Sequence, residues 1–170
     1  MRSRPSRSRP SRWPSQSPNT RSWASSSAEQ TERLGAAVAV RLRPGDVVHV
    51  AGEMGAGKTV LVRGACRALG VEGPVTSPTY TVGNLYSTPA GRIAHLDLYR
   101  SAGVTVEEAA DLEPYFDETI CFVEWPAAGA GVLPPPRLCA TVRVGEGDAR
   151  LIELRSHDAE LLDSIGDPLV

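Results

Sequence analysis

Apolar residues fall along this chain in two alternating rhythms. Behind Ser27-Ala28-Glu29-Gln30, Leu34, Val38 and Leu42 recur every four residues. That spacing lays one apolar stripe along a helix, with Ser27 as N-cap and Gln30 completing a capping box. Pro44-Gly45-Asp46 ends it. Residues 47–51 then form a short run of buried-strand character, and 60–69 read as a helix with Gly70 in the C-cap glycine position. Residues 79–86 and 92–99 alternate on either side of Thr88-Pro89-Ala90-Gly91, which predicts a hairpin. Its second strand puts Ile93, His95 and Asp97 on one face and Ala94, Leu96 and Leu98 on the other. Thr105 with Glu108 starts a short helix that ends before Pro114, and 119–125 is another buried strand. Residues 129–136 are loop, 138–144 and 150–154 pair across Gly145-Glu146-Gly147-Asp148, and 158–165 form a weak terminal helix.

The first predicted strand and the second predicted helix enclose Gly52-Glu53-Met54-Gly55-Ala56-Gly57-Lys58-Thr59, which fits G-x-x-x-x-G-K-[ST]. Strand, glycine loop and helix together make a site for a nucleoside triphosphate. Gly55 and Gly57 let the backbone curl so that N–H groups point at the β-phosphate, and the following helix adds its positive end. Lys58 is placed to reach the β- and γ-oxygens, and Thr59 to offer a hydroxyl to Mg²⁺. Hydrolysis needs more: a second carboxylate near the metal and a group to orient the attacking water. Asp97 and Glu124 each close an apolar run, so both belong at the carboxyl edge of the sheet, where an open α/β fold binds its ligand. Spacing alone does not say which of them does which. Ser77-Pro78-Thr79-Tyr80 occupies the interval that senses the γ-phosphate in Ras-like proteins, making Ser77 and Thr79 candidates for contact with phosphate or metal. His95 is read as a hydrogen-bonded structural histidine in preference to a proton relay, and Trp125 as a packing aromatic in preference to a base-stacking platform.

Composition narrows the class. No apolar run approaches the roughly 20 residues of a membrane helix. Six of the 18 basic residues lie in 1–27, which holds no acid, leaving 12 against 20 acids in the remainder. The folded part is acidic and carries no overall footprint for nucleic acid. Residues 1–26 are Arg, Ser and Pro with little to bury and are expected to be a disordered tail. The domain then spans 27–156, followed by a C-terminal tail over 157–170. The three cysteines form no C-x-x-C pair, which points to buried thiols in a reducing cytoplasm.

With these residues placed, the chain resembles the TsaE (YjeE) family, the P-loop ATPases of bacterial tRNA threonylcarbamoyladenosine synthesis. The resemblance covers about residues 27–155. It rests on the phosphate loop, Ser77-Pro78-Thr79-Tyr80-Thr81, His95-Leu96-Asp97-Leu98-Tyr99-Arg100 and Val123-Glu124-Trp125-Pro126. It implies a single α/β P-loop NTPase domain, with a mixed, mostly parallel sheet flanked by helices and antiparallel hairpins. It implies ATP and Mg²⁺ as cofactors, with Thr59 and Glu124 on the metal and Asp97, Lys58 and Glu124 carrying catalysis. Gly52, Gly55, Ala56, Gly57, Lys58, Thr59 and Val60 would hold the phosphates, with Ser77 and Thr79 in the switch. Ala28 and Ala149 would border the nucleotide. The implied partners are TsaB and TsaD, a heterodimer that the ATPase resets between rounds, with tRNA met only through that complex. Asp111-Leu112 departs from the family's Gly before an aliphatic residue, so the short helix is expected to end differently. The competing readings are a small P-loop kinase and an ATP-gated assembly module with incidental hydrolysis. The kinase lacks a basic lid, since Arg63 and Arg67 are the only clustered basic residues after Lys58.

Overall fold

The computed structural model describes residues 18–78, 81–101 and 103–170. Four strands form a parallel centre: β2 (Val47–Ala51), β4 (Gly91–Asp97), β5 (Thr119–Glu124) and β6 (Leu138–Val144). Antiparallel strands extend it on both sides, β3 (Gly83–Thr88) beside β4, then β7 (Arg150–Ser156) beside β6 and β1 (Asn19–Ser25) beside β7. The order across the seven-stranded sheet is β1-β7-β6-β2-β5-β4-β3. The mixed α/β sheet with two hairpins is the fold the sequence implied, but it is not mostly parallel: three of its six strand pairings are parallel and three antiparallel.

The central strands bury both faces, which is why they read as continuous apolar runs. Ile93, Ile120 and Phe122 face a large core beneath α1 (Ala28–Ala39), α2 (Lys58–Ala68) and α4 (Ala159–Ile165). Ala94, Leu96, Leu98, Cys121 and Val123 face a smaller one capped by Leu112 of α3 (Val106–Phe116). The alternation expected along 92–99 is therefore real, with buried apolar residues on both sides. Burial pushes the Cys66 thiol up to about 12 and raises Cys121 too, so these thiols pack as small apolar groups.

Helices α1 and α2 touch backbone to backbone. A Cβ on Gly35 would lie 2.1 Å from the Leu61 carbonyl oxygen, and one on Gly64 would lie 2.1 Å from that of Glu32. Two glycines thus let the helices approach more closely than any side chain allows. Arg63 and Arg67 of α2 close the outer side of the seam on Glu32, at 3.2 and 2.6 Å.

Several boundaries differ from expectation. The acid-free stretch assigned to a disordered tail contains β1, seven residues paired in register from Asn19↔Ser156 to Ser25↔Arg150. Its inward residues are Trp23 and Ser25, and the Arg21 guanidinium stacks 5.0 Å from the Trp23 ring centre while donating to the Leu162 and Gly166 carbonyls. Ladder bonds and one buried indole outweigh a composition dominated by Arg, Ser and Pro. Residues 1–17 lie outside the described residues. The segment assigned to a C-terminal tail is also part of the core, through Leu161, Leu162 and Ile165 of α4.

Helix α1 stops at Ala39, five residues before the predicted Pro44, and Leu42 is buried from the turn that follows. At its start, Ser27 accepts from the Gln30 N–H, but Gln30 accepts from Ser26, not from the Ser27 backbone. Helix α3 has the full capping box between Thr105 and Glu108 and runs through Pro114 to Phe116. Tyr115 and Phe116, packed on the smaller core, hold that last turn in place although proline donates no helical bond.

Asp158 caps α4 by accepting from the Leu161 N–H at 3.0 Å, and Arg137 links it to Asp46 at 3.0 and 2.7 Å. The Leu161 N–H first, then Arg137, holds the Asp158 carboxyl below its ordinary value. A depressed folded value stabilises the protein above the unfolded pKa of about 4 and ceases to do so as pH falls through the folded value. Asp158→Ala is therefore expected to cost about 1 kcal/mol near neutrality. The difference from wild type in urea midpoint should shrink between pH 7 and pH 3.

Candidate functional site

The phosphate loop turns between β2 and α2 on positive φ at Gly52 (146°), Gly55 (75°) and Gly57 (103°), the last capping α2. Gly52 also meets the first hairpin strand of the far side: a Cβ there would sit 2.3 Å from the Val142 carbonyl oxygen. The loop opens onto the carboxyl ends of β2, β4 and β5, whose registers place Val50 beside Glu124 and Glu124 beside Asp97. The two candidate acids are thus side by side on adjacent strands, as their places at the ends of apolar runs required.

Around the loop lies a cleft of about 630 Å³, bordered by Lys58, Thr59, Ser77, Asp97, Glu124 and Trp125. Lys58 is 5% exposed and donates to the carbonyls of Gly52 (3.0 Å) and Glu53 (2.8 Å). Its ammonium lies 4.0 Å from the Trp125 ring centre. Burial lowers its pKa, while Glu124, Asp97 and Glu53 pull it back up. Thr59 joins the parts: its Oγ1 donates to Glu124 Oε1 at 2.8 Å and lies 2.9 Å from Ser77 Oγ. Glu124 is 2% exposed, and His95 Nε2 lies 2.9 Å from the same Oε1. Asp97 Oδ1 accepts from the Tyr99 N–H at 3.0 Å. Trp125 holds a left-handed backbone (φ 58°) and packs against Tyr99 with ring centres 4.8 Å apart. It packs between Tyr99 and Lys58, and the surface it covers is the phosphate cleft.

A second cleft of about 370 Å³ lies on the other side of the loop, between α1 and the β6–β7 turn. Ala28 and Val60 border it together with Gly55, Gly57, Asp148 and Arg150. Ala149 does not. Its neighbours Asp148 and Arg150 form the wall, while the Ala149 carbonyl accepts from the Gly145 backbone N–H and the Arg150 guanidinium. Arg150 Nε also donates to the Ala56 carbonyl at 3.0 Å, tying the turn to the phosphate loop. Sequence reasoning missed Arg150, and only its place beside Ala149 at the turn hinted at it. Thr79 and Tyr80 lie outside the described residues.

The donors present suit a hard divalent cation. A threonine hydroxyl and a carboxylate meet in the cleft, and among the described residues no group of three or more His, Cys, Asp or Glu side chains could enclose an ion by itself. That incomplete set is what Mg²⁺ takes when phosphate oxygens and water fill its remaining positions.

Fold and site together define a P-loop NTPase: a glycine loop leading into a helix at the carboxyl edge of a parallel sheet, with acids on the neighbouring strand ends. The family model described as "Threonylcarbamoyl adenosine biosynthesis protein TsaE" matches residues 25–152, and the chain belongs to the TsaE family. A tRNA threonylcarbamoyladenosine biosynthesis protein TsaE of Haemophilus influenzae is 39% identical over 109 residues, covering 64% of this chain and 68% of that protein. Its namesake in Bacillus subtilis is 32% identical over 131 residues, covering 76% and 82%. The crystal structure of Bacillus subtilis YdiB superposes with a TM-score of 0.73 at 27% identity, over 89% of this chain and 97% of YdiB. Among the described residues no helix is long and apolar enough to cross a membrane.

Proposed function

We propose that this protein binds and hydrolyses ATP in support of tRNA threonylcarbamoyladenosine synthesis, acting in the cytoplasm on a TsaB–TsaD heterodimer. The observation that carries this reading is the 2.8 Å bond from Thr59 to Glu124. It joins the first turn of α2 to the end of β5 inside the cleft, the meeting point that a triphosphate with its metal requires. In this reading Lys58 leaves the Gly52 and Glu53 carbonyls for the phosphate oxygens, and Gly55 and Gly57 let the loop wrap them. Thr59 and Glu124 would hold Mg²⁺. When bound, the metal neutralises the charge that develops on the phosphates. Asp97, one strand over, orients the attacking water, and Ser77 and Thr79 register the γ-phosphate. The nucleoside occupies the second cleft, beside Ala28 and Val60.

A kinase reading is disfavoured because Arg63 and Arg67, the clustered basic pair on α2, are both committed to Glu32. The test is the ATPase rate of the purified protein with and without the TsaB–TsaD heterodimer. Stimulation of at least about tenfold is expected, within the usual range of coupling between sites. An unchanged rate at saturating heterodimer would sink the assigned role.

A further inference from the structure

His95 lies on β4, two residues before Asp97, yet has no part in the chemistry above. It is fully buried on β4, opposite Asn84 of β3 and Phe122 of β5. Its Nε2 lies 2.9 Å from Glu124 Oε1, the oxygen that also accepts from Thr59 at 2.8 Å. Its Nδ1 is buried and has no hydrogen-bond partner among the described residues. These two facts fix the tautomer. A proton on Nδ1 would strand a buried donor, which costs about 1–3 kcal/mol, and would also remove the donor from the carboxylate. With the proton on Nε2, every strong donor is used and only a weaker acceptor is left unpaired. The imidazole is therefore a fixed donor aimed at Glu124.

We propose that His95 is a positioning residue for the metal site: it holds the Glu124 carboxylate in one rotamer, so that Oε1 carries two donors and Oε2 is left for the cation or its water. This rests on the reading of Glu124 as a metal-site carboxylate. A buried carboxylate at the end of a strand has few other restraints, since Thr59 must also turn to the metal. When the Thr59 hydroxyl turns away, the His95 N–H is the bond that remains. A donor behind a ligand typically changes metal affinity 10–100-fold when removed.

The experiment titrates Mn²⁺ into the nucleotide-bound protein by electron paramagnetic resonance and measures nucleotide affinity in EDTA. The variants are His95→Leu, His95→Gln, His95→Asn and Glu124→Gln. A glutamine amide reaches the place of Nε2, whereas an asparagine amide reaches only that of Nδ1. His95→Leu and His95→Asn should lose about 10–100-fold in Mn²⁺ affinity. His95→Gln should recover most of it, and all three should bind metal-free nucleotide within about twofold of wild type. If His95→Leu is not soluble, the Gln and Asn pair decides. Equal Mn²⁺ affinity in His95→Gln and His95→Asn overturns the positioning role and leaves His95 a packing residue. A Glu124→Gln variant with wild-type Mn²⁺ affinity instead overturns the metal-site reading on which the proposal stands.

Discussion

Asp97→Asn should bind ATP within about threefold of wild type and turn it over about 10²–10³ times more slowly, the usual cost of losing a positioned acid–base group. Asparagine is the informative replacement because Asp97 has a second duty. Its Oδ1 accepts from the Tyr99 N–H, shaping the turn that follows β4. Asparagine keeps that acceptor and removes the charge, whereas Asp97→Ala removes both. If hydrolysis needs the carboxylate, the two variants fall together in single-turnover rate. Wild-type turnover in Asp97→Asn, with a loss only in Asp97→Ala, would mean that the residue merely builds the turn. The acid beside it gives a second comparison. Glu124→Gln should also lower the apparent affinity for Mg²⁺, because Glu124 Oε1 accepts from the Thr59 hydroxyl, the other group proposed to hold the metal.

Gly35→Ala should cost about 1–3 kcal/mol even though alanine is the better helix former by up to about 1 kcal/mol. The added methyl meets the Leu61 carbonyl oxygen, a backbone atom that cannot swing aside. To admit it, α2 must move away from α1, and α2 begins at Lys58. The same substitution should therefore weaken ATP binding, though position 35 lies outside both clefts. Urea unfolding and nucleotide titration of Gly35→Ala and Gly64→Ala check this. A variant with wild-type midpoint and affinity would show that the helices separate without consequence.

Much of this was legible in the sequence, and for identifiable reasons. Strands buried on both faces announce themselves as unbroken apolar runs, so β2 and β5 were placed to within a residue and Glu124 with them. The phosphate loop is legible because its glycines are demanded by backbone geometry, not by packing. The alternation of Ile93, His95 and Asp97 with Ala94, Leu96 and Leu98 also survived, because the flanking cores sort by side. What escaped depended on partners distant in the chain. β1 reads as a polar tail because its support is β7, about 130 residues away by register. Helix α3 outruns Pro114 because Tyr115 and Phe116 are held from outside. Arg150 escaped because its bond to the Ala56 carbonyl depends on where Ala56 lies in space, and a hairpin turn carries no periodic signal.

The pairing of β1 with β7 also dictates an order of events at synthesis. β1 is made before the other described strands, but its partner emerges only over Arg150 to Ser156, and Arg21 finds its carbonyl acceptors only at Leu162 and Gly166. Closing so long a loop is slow compared with forming local hairpins. Trp23 is therefore expected to pack late, after the residues of the nucleotide-binding centre have been made. β1 is thus expected to join the sheet only after β7 has been made, when the phosphate loop and both candidate acids have already been synthesised.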